Sequence, residues 1–268
     1  MDAAADLVLY DVDDGIATIT LNRPDRLNAW TGPLGTQYFD CLDAAADDPD
    51  VKVIIVTGAG RGFCAGADMD MLQGIGGAGE ERIVENRPHT HATGVPKPVI
   101  AAINGACAGL GLVHAAMADL RLAAEGAKFT TAFSRRGLVA EHGVSWVLPR
   151  LVGPSIALDL LMSGRVFLAE EALELGFVNR VVPADELVSA TREYALDLVA
   201  NVASTSMAVI KQQVWGHYDL SLSEALSDTN ALMARSLRRA DFKEGVASFV
   251  EKRPPAFSGV TRAATEDL

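Results

Sequence analysis

Residues 58–68 read Gly-Ala-Gly-Arg-Gly-Phe-Cys-Ala-Gly-Ala-Asp, after an apolar run at 51–56 and before a weak helical pattern that starts near Met69. A strand that ends in a glycine-rich turn and opens a helix offers backbone N–H groups to an anion or a polarised carbonyl. The stretch 98–111 repeats the logic. An apolar strand pattern over 98–103 leads through Asn-Gly-Ala-Cys-Ala-Gly-Leu-Gly into a helical pattern over 112–119. Two converging N–H donors would make an oxyanion hole. Neither turn carries the Gly-Lys-Ser/Thr of a phosphate loop, and neither fits dinucleotide spacing. Each turn taken alone reads first as an ordinary strand-to-helix connection, and their pairing is what constrains the chain.

The other segments alternate in the same way. Short strand patterns at 7–10 and 16–21 flank Asp13-Asp14-Gly15, a hairpin signal. Apolar residues at helical spacing cover 34–46, and a buried strand covers 51–57. Residues 71–91 are glycine-rich, charged and aperiodic, and read as a mobile loop. Strand patterns follow at 120–123 and 177–182, and helices at 154–162, 169–175 and from 183. From about Ala203 the pattern is helical to Glu251, with Met207, Val209, Ile210, Leu222, Leu226, Leu232 and Met233 along it. Strand and helix alternation before a helical tail indicates the α/β class.

At 268 residues and 49% hydrophobic content the chain can bury a full core. Its net charge of −12 opposes nucleic-acid binding. No apolar run approaches the roughly 18–20 residues of a membrane span. The acidic start, Met1 to Asp6, lacks the basic region of a signal peptide. Cys41, Cys64 and Cys107 have no metal-ligand spacing and read as reduced thiols in a cytoplasmic protein.

Five further segments join the two turns in a recognisable order: Leu-Asn-Arg-Pro-Asp-Arg-Leu-Asn-Ala at 21–29, Lys-Pro-Val-Ile-Ala-Ala-Ile-Asn-Gly at 97–105, Gly-Ala-Lys-Phe at 126–129, Leu-Glu-Leu-Gly-Phe-Val-Asn at 173–179 and Phe-Lys-Glu-Gly at 242–245. Over almost the whole chain this order resembles the crotonase superfamily, also called the enoyl-CoA hydratase/isomerase family. The resemblance implies a crotonase-type spiral of ββα units over residues 1–203. It also implies a C-terminal helical region, 204–268, that assembles homo-oligomers, a trimer or a dimer of trimers. The substrate it implies is a CoA thioester, with no metal or redox cofactor and neither nucleic acid nor membrane as partner.

By the same resemblance the backbone N–H groups of Ala67 and Leu110 are the oxyanion donors. Arg26, Leu27, Ala29, Ala65, Gly66, Asp68, Met69 and Gly109 would line the CoA and thioester site, with Arg61, Lys252 and Arg253 as further basic groups near the phosphates. The family's hydratases place two glutamates where this chain has Val113 and Phe133, and neither residue can carry a proton. The loop 137–143 resembles that of dienoyl-CoA and epoxyphenylacetyl-CoA isomerases and of a chlorobenzoyl-CoA dehalogenase, which carry an aspartate at the position of Glu141. Glu141 is therefore the expected acid/base, with Val113 and Phe133 supplying an apolar pocket, and one carboxylate suits double-bond isomerisation better than hydration. On pattern alone Glu141 reads as a surface charge. His114 reads as a structural core residue, His142 as a neighbour able to tune Glu141, and His89 and His91 as surface. The rival reading is a non-catalytic acyl-CoA binding or regulatory protein on the same fold.

Overall fold

The computed structural model describes residues 6–75 and 87–265. The expected hairpin pairs strand β1 (Val8–Asp13) antiparallel with β2 (Ile16–Leu21), from Val8 opposite Leu21 to Asp13 opposite Ile16. Asp14 and Gly15, with φ of 49° and 77°, form the two-residue turn, for which left-handed backbone at both positions matches the strand twist. Helix α1 (Gly32–Asp47) starts where Thr31 caps Leu34 N–H and Pro33 occupies the first turn. It buries Leu34, Tyr38, Phe39 and Leu42 along one face.

A three-part unit then repeats. Strand β3 (Val53–Gly58), the short β4 (Gly62–Cys64) and helix α2 (Met69–Ile75) form one round. Strand β5 (Val99–Ile103), β6 (Ala106–Ala108) and α3 (Leu110–Met117) form the next. Strands β7 (Leu120–Ala124) and β8 (Lys128–Thr130) open a third, which closes on α4 (Val144–Val152). Then follow α5 (Pro154–Ser163), β9 (Phe167–Leu168), α6 (Ala169–Glu174), β10 (Arg180–Val182) and α7 (Leu187–Asn201). The tail comprises α8 (Ser204–Gly216), α9 (Leu222–Ser236), α10 (Ala240–Glu251) and α11 (Arg262–Thr265).

The first strand of each round enters one sheet, ordered β1-β2-β3-β5-β7-β10, and the second enters another, ordered β4-β6-β8-β9. Beyond the hairpin the larger sheet is parallel. This is the expected spiral of ββα units. The main core packs Leu21, Trp30, Tyr38, Phe39, Phe63 and Phe129 together, while α7 covers the far side of the large sheet over Ile16, Val53, Ile100 and Leu122. Every residue of β5 is buried, as its unbroken apolar run requires of a parallel strand covered on both faces.

Several boundaries differ from expectation. The helix read from 112 begins at Leu110, so the glycine turn runs straight into it. The helix α4 had no reading in the sequence, because Pro149 within it masks a helical pattern. The strand read over 177–182 keeps only its last half, and the helix read from 183 starts at Leu187. The continuous helix expected over 203–251 is three helices, interrupted after Gly216 and after Ser236. Of the loop read over 71–91, residues 76–86 lie outside the described part, and its start is helical. No described helix is long and apolar enough to cross a membrane.

Candidate active site

The two glycine turns lie side by side because β4 and β6 pair in parallel, with Gly62 opposite Ala106 and Cys64 opposite Cys107. Each of those cysteines opens the same Cys-Ala-Gly run, at 64–66 and 107–109. Gly66 has φ +98°, and a Cβ there would stand 3.0 Å from the Ala108 carbonyl oxygen. A Cβ on Gly111 would overlap the Cys64 oxygen at 2.1 Å, so α3 docks on the first turn only through a residue without a side chain.

Ala67 follows Gly66 and Leu110 follows Gly109, and a Cβ on either of those glycines would stand 3.7 Å from the other's Cα. Trp30 fixes the first of them: its N–H donates to the Gly66 oxygen (2.7 Å) and its carbonyl accepts from Asp68 N–H (2.9 Å). In a parallel bridge the residue between those two, Ala67, turns its own N–H to the opposite side. Leu110 opens α3, where an N–H has no partner within the helix. Among the described residues neither amide has an acceptor. Two unengaged donors beside a helix N-terminus can bind a developing negative oxygen.

The segment 21–29 is clamped to this turn. Asn28, fully buried at φ +56°, accepts from Arg23 N–H (2.8 Å) and donates to the carbonyls of Ala59 (3.0 Å) and Gly62 (2.7 Å). The Arg23 guanidinium spans the Asp68 carboxylate (2.9 Å) and the Ala29 carbonyl (2.5 Å). Asp68 also accepts from Asp70 N–H, and these bonds hold its carboxyl below the usual range against the opposing effect of burial. Ala65 N–H donates to the Leu27 carbonyl (3.0 Å). Arg26 and Met69 project into solvent, Arg26 within 3.5 Å of Asp70. Arg23, Asn28 and Trp30 thus do the structural work in a segment where the sequence had singled out Arg26, Leu27 and Ala29. Arg61 is exposed, and the Arg253 guanidinium is held in both forks by Glu244.

Val113 and Phe133 are buried in the apolar core, so no carboxylate occupies either position. Glu141 starts a turn in which His142 and Gly143 both adopt left-handed backbone (φ +53° and +80°), and Val144 N–H closes it on the Glu141 carbonyl (3.0 Å). Its side chain keeps 31% of its exposure, and partial burial raises its pKa while the charge of His89 pulls the other way. His142 Nε2 stands 4.0 Å from Glu141 Oε2.

His89 corrects the surface reading. It is buried, its Nδ1 lies 3.0 Å from His114 Nε2, and its ring centroid is 4.0 Å from that of His142. His91 is half-buried and bonds Asp43 (2.8 Å). His114 is a core residue, as read, stacked on the Trp30 indole at 4.0 Å. The sequence signal for His89 was weak, because it sits inside the stretch 71–91 that reads as aperiodic. No group of three or more His, Cys, Asp or Glu among the described residues is arranged to hold a metal ion.

A family model described as enoyl-CoA hydratase/isomerase matches residues 11–260. The chain is 35% identical over 260 residues to the 1,2-epoxyphenylacetyl-CoA isomerase of Escherichia coli, covering 95% of this chain and 99% of that protein. Among solved structures, an enoyl-CoA hydratase from Mycobacterium marinum superposes with a TM-score of 0.69 at 50% identity, over 78% of this chain and 97% of that one. An enoyl-CoA hydratase from Polaromonas superposes at 0.85 with 30% identity, over 93% and 99%.

Proposed function

Because the chain belongs to the enoyl-CoA hydratase/isomerase family, we propose that this enzyme acts on an enoyl-CoA thioester through an enolate, with Glu141 as its only acid/base. The observation that carries the reading is the combination of two unengaged amides with a single carboxylate of raised pKa, while Val113 and Phe133 are buried and apolar. In this mechanism the thioester oxygen accepts from the N–H groups of Ala67 and Leu110. Glu141 removes the α-proton, and the electron pair moves onto that oxygen. The same carboxylic acid then returns the proton at the γ-carbon, and the double bond shifts by one position with no net change in atoms. Each donor contributes about 3–4 kcal/mol to the barrier reduction. A carboxyl raised toward neutrality is suited to both halves of the transfer.

Isomerisation is favoured over hydration because hydration in the two-glutamate manner needs a second carboxylate to orient water. Segment 21–29 together with Ala65, Gly66, Asp68, Met69 and Gly109 forms the CoA side of the site in this reading. Residues 204–268 form a helical region that packs between copies of the chain in a trimer or a dimer of trimers.

Glu141→Gln is expected to lower turnover of a 2- or 3-enoyl-CoA by about 10²–10⁴-fold with little change in CoA-thioester binding. Chromatography of the product separates the shifted alkene from a hydroxyacyl thioester. Full activity in Glu141→Gln would remove Glu141 from the mechanism. Tight thioester binding by a wild-type protein that turns over no enoyl-CoA would favour the non-catalytic binder.

A further inference from the structure

Directly behind the Glu141 turn lies a cavity of about 310 Å³, lined by Thr90, Met117, Gly143, Trp146, Val147 and Trp215. Its position follows from the chain. Met117 ends α3 one helical turn beyond Val113 and on the same face, about 10 Å along the axis from the Leu110 amide. Gly143 is two residues past Glu141, and Thr90 adjoins His89. The cavity therefore lies one helical turn past Val113, on the side of the Glu141 turn toward which an acyl group held at the start of α3 would extend.

The lining includes no charged side chain. Thr93, which also borders the cavity, spends its hydroxyl on the Thr90 carbonyl (2.8 Å). The two indoles lie nearly parallel, 23° apart with centroids at 6.1 Å. The Arg150 guanidinium sits 3.7 Å from the Trp146 ring centroid, and Tyr218 packs edge-on against both indoles. The aromatic walls are thus held in place from outside. An aromatic lining favours a ring guest, since ring pairs, edge-on as well as stacked, gain attraction beyond the area they bury. The volume is about twice the ~150 Å³ apolar cavity that accepts benzene, which leaves room for a ring and the methylene that joins it to the thioester.

We propose that this cavity is the terminal acyl subsite of the enzyme, and that it takes a thioester whose acyl group ends in an uncharged six-membered carbocycle. The inference rests on the acyl-CoA reading above, and it adds the class of acyl group.

Calorimetric titration of the full chain with acetyl-CoA, hexanoyl-CoA and phenylacetyl-CoA tests it. Phenylacetyl-CoA is expected to bind at least tenfold more tightly than acetyl-CoA and more tightly than hexanoyl-CoA. Thr93→Phe, which fills the space, and Trp215→Ala, which removes a wall, should each erase most of that difference while leaving acetyl-CoA binding unchanged. Unchanged acetyl-CoA binding also reports that the variants fold. Equal affinity for all three thioesters, or a preference that survives both substitutions, overturns the subsite but not the acyl-CoA reading. Hexanoyl-CoA bound as tightly as phenylacetyl-CoA overturns the assignment of a ring. Failure to bind any of the three overturns the acyl-CoA reading and the subsite together.

Discussion

His114 shows how a histidine next to a candidate site can belong wholly to the scaffold. It is packed against Trp30, Tyr38 and Phe39, and its Nδ1 has no partner among the described residues. Burial, reinforced by the charges of His89 and His142, drives its pKa well below that of a free imidazole, so it is neutral in the folded protein near pH 7. The unfolded chain regains an ordinary imidazole with a pKa of about 6.5. Below that pH the unfolded state binds a proton that the folded state refuses. The contribution to stability is thus complete above about pH 6.5 and is lost as the pH falls, at a slope approaching 1.4 kcal/mol per unit. His114→Phe keeps the stacking and removes the titration. Urea unfolding at a series of pH values between 7 and 5 should show a shallower decline for the variant by about that slope, and parallel declines would refute this account. A helix position inside an apolar run predicted the burial of His114. Nothing in the sequence predicted that His89 would meet it, because that contact joins residues 25 apart through tertiary packing.

Among the elements, α8 is tied to the turn between α3 and β7 by an ion pair of the buried Lys211 with the half-buried Asp119. Lys211 Nζ donates to the Asp119 carboxylate (2.7 Å) and to the carbonyls of Ala92 (2.8 Å) and Lys97 (3.1 Å), and the same Asp119 oxygen accepts from Val99 N–H (2.7 Å). Burial depresses the Lys211 pKa and Asp119 opposes that depression, so the ammonium depends on its partner. Asp119→Asn leaves a buried charge without a counter-ion. Its cost should be about 3–5 kcal/mol of unfolding free energy in urea denaturation, with much of the loss recovered by adding Lys211→Met. A loss below about 1 kcal/mol would place the pair with ordinary surface ion pairs. Elements of this length were legible in the sequence when their period was long enough to count, as in α1, β2 and β5. The three-residue strands β4 and β6 were not, since a strand that short shows no alternation. These strands nevertheless set the two amides side by side. The two turns were legible from their glycines, while the sheet that aligns them was not.

At the scale of the molecule, the tail is the part a single chain leaves unfinished. Helix α9 buries none of its residues, and α10 buries only Ser248. Leu222 and Phe249 are 87% and 85% exposed, with Leu226, Met233, Phe242 and Val250 exposed as well. In the proposed assembly this apolar face is the interface between copies of the chain. Sedimentation equilibrium at micromolar concentration should give three or six times the 28.3 kDa of one chain, and Phe249→Asp should lower that mass. A stable wild-type monomer would contradict the assembly. Alternation of strands and helices gave the α/β class, but the spiral was readable only through likeness to a family, because period alone does not say which sheet a strand will enter. The amide pair has a consequence for descent. Under the proposed mechanism every residue except proline at Ala67 or Leu110 supplies the same peptide N–H, so most substitutions there leave both donors standing. A lineage built on such a scaffold can relocate its one proton-carrying side chain and arrive at a different reaction, while the part hardest to reinvent is inherited in the path of the main chain.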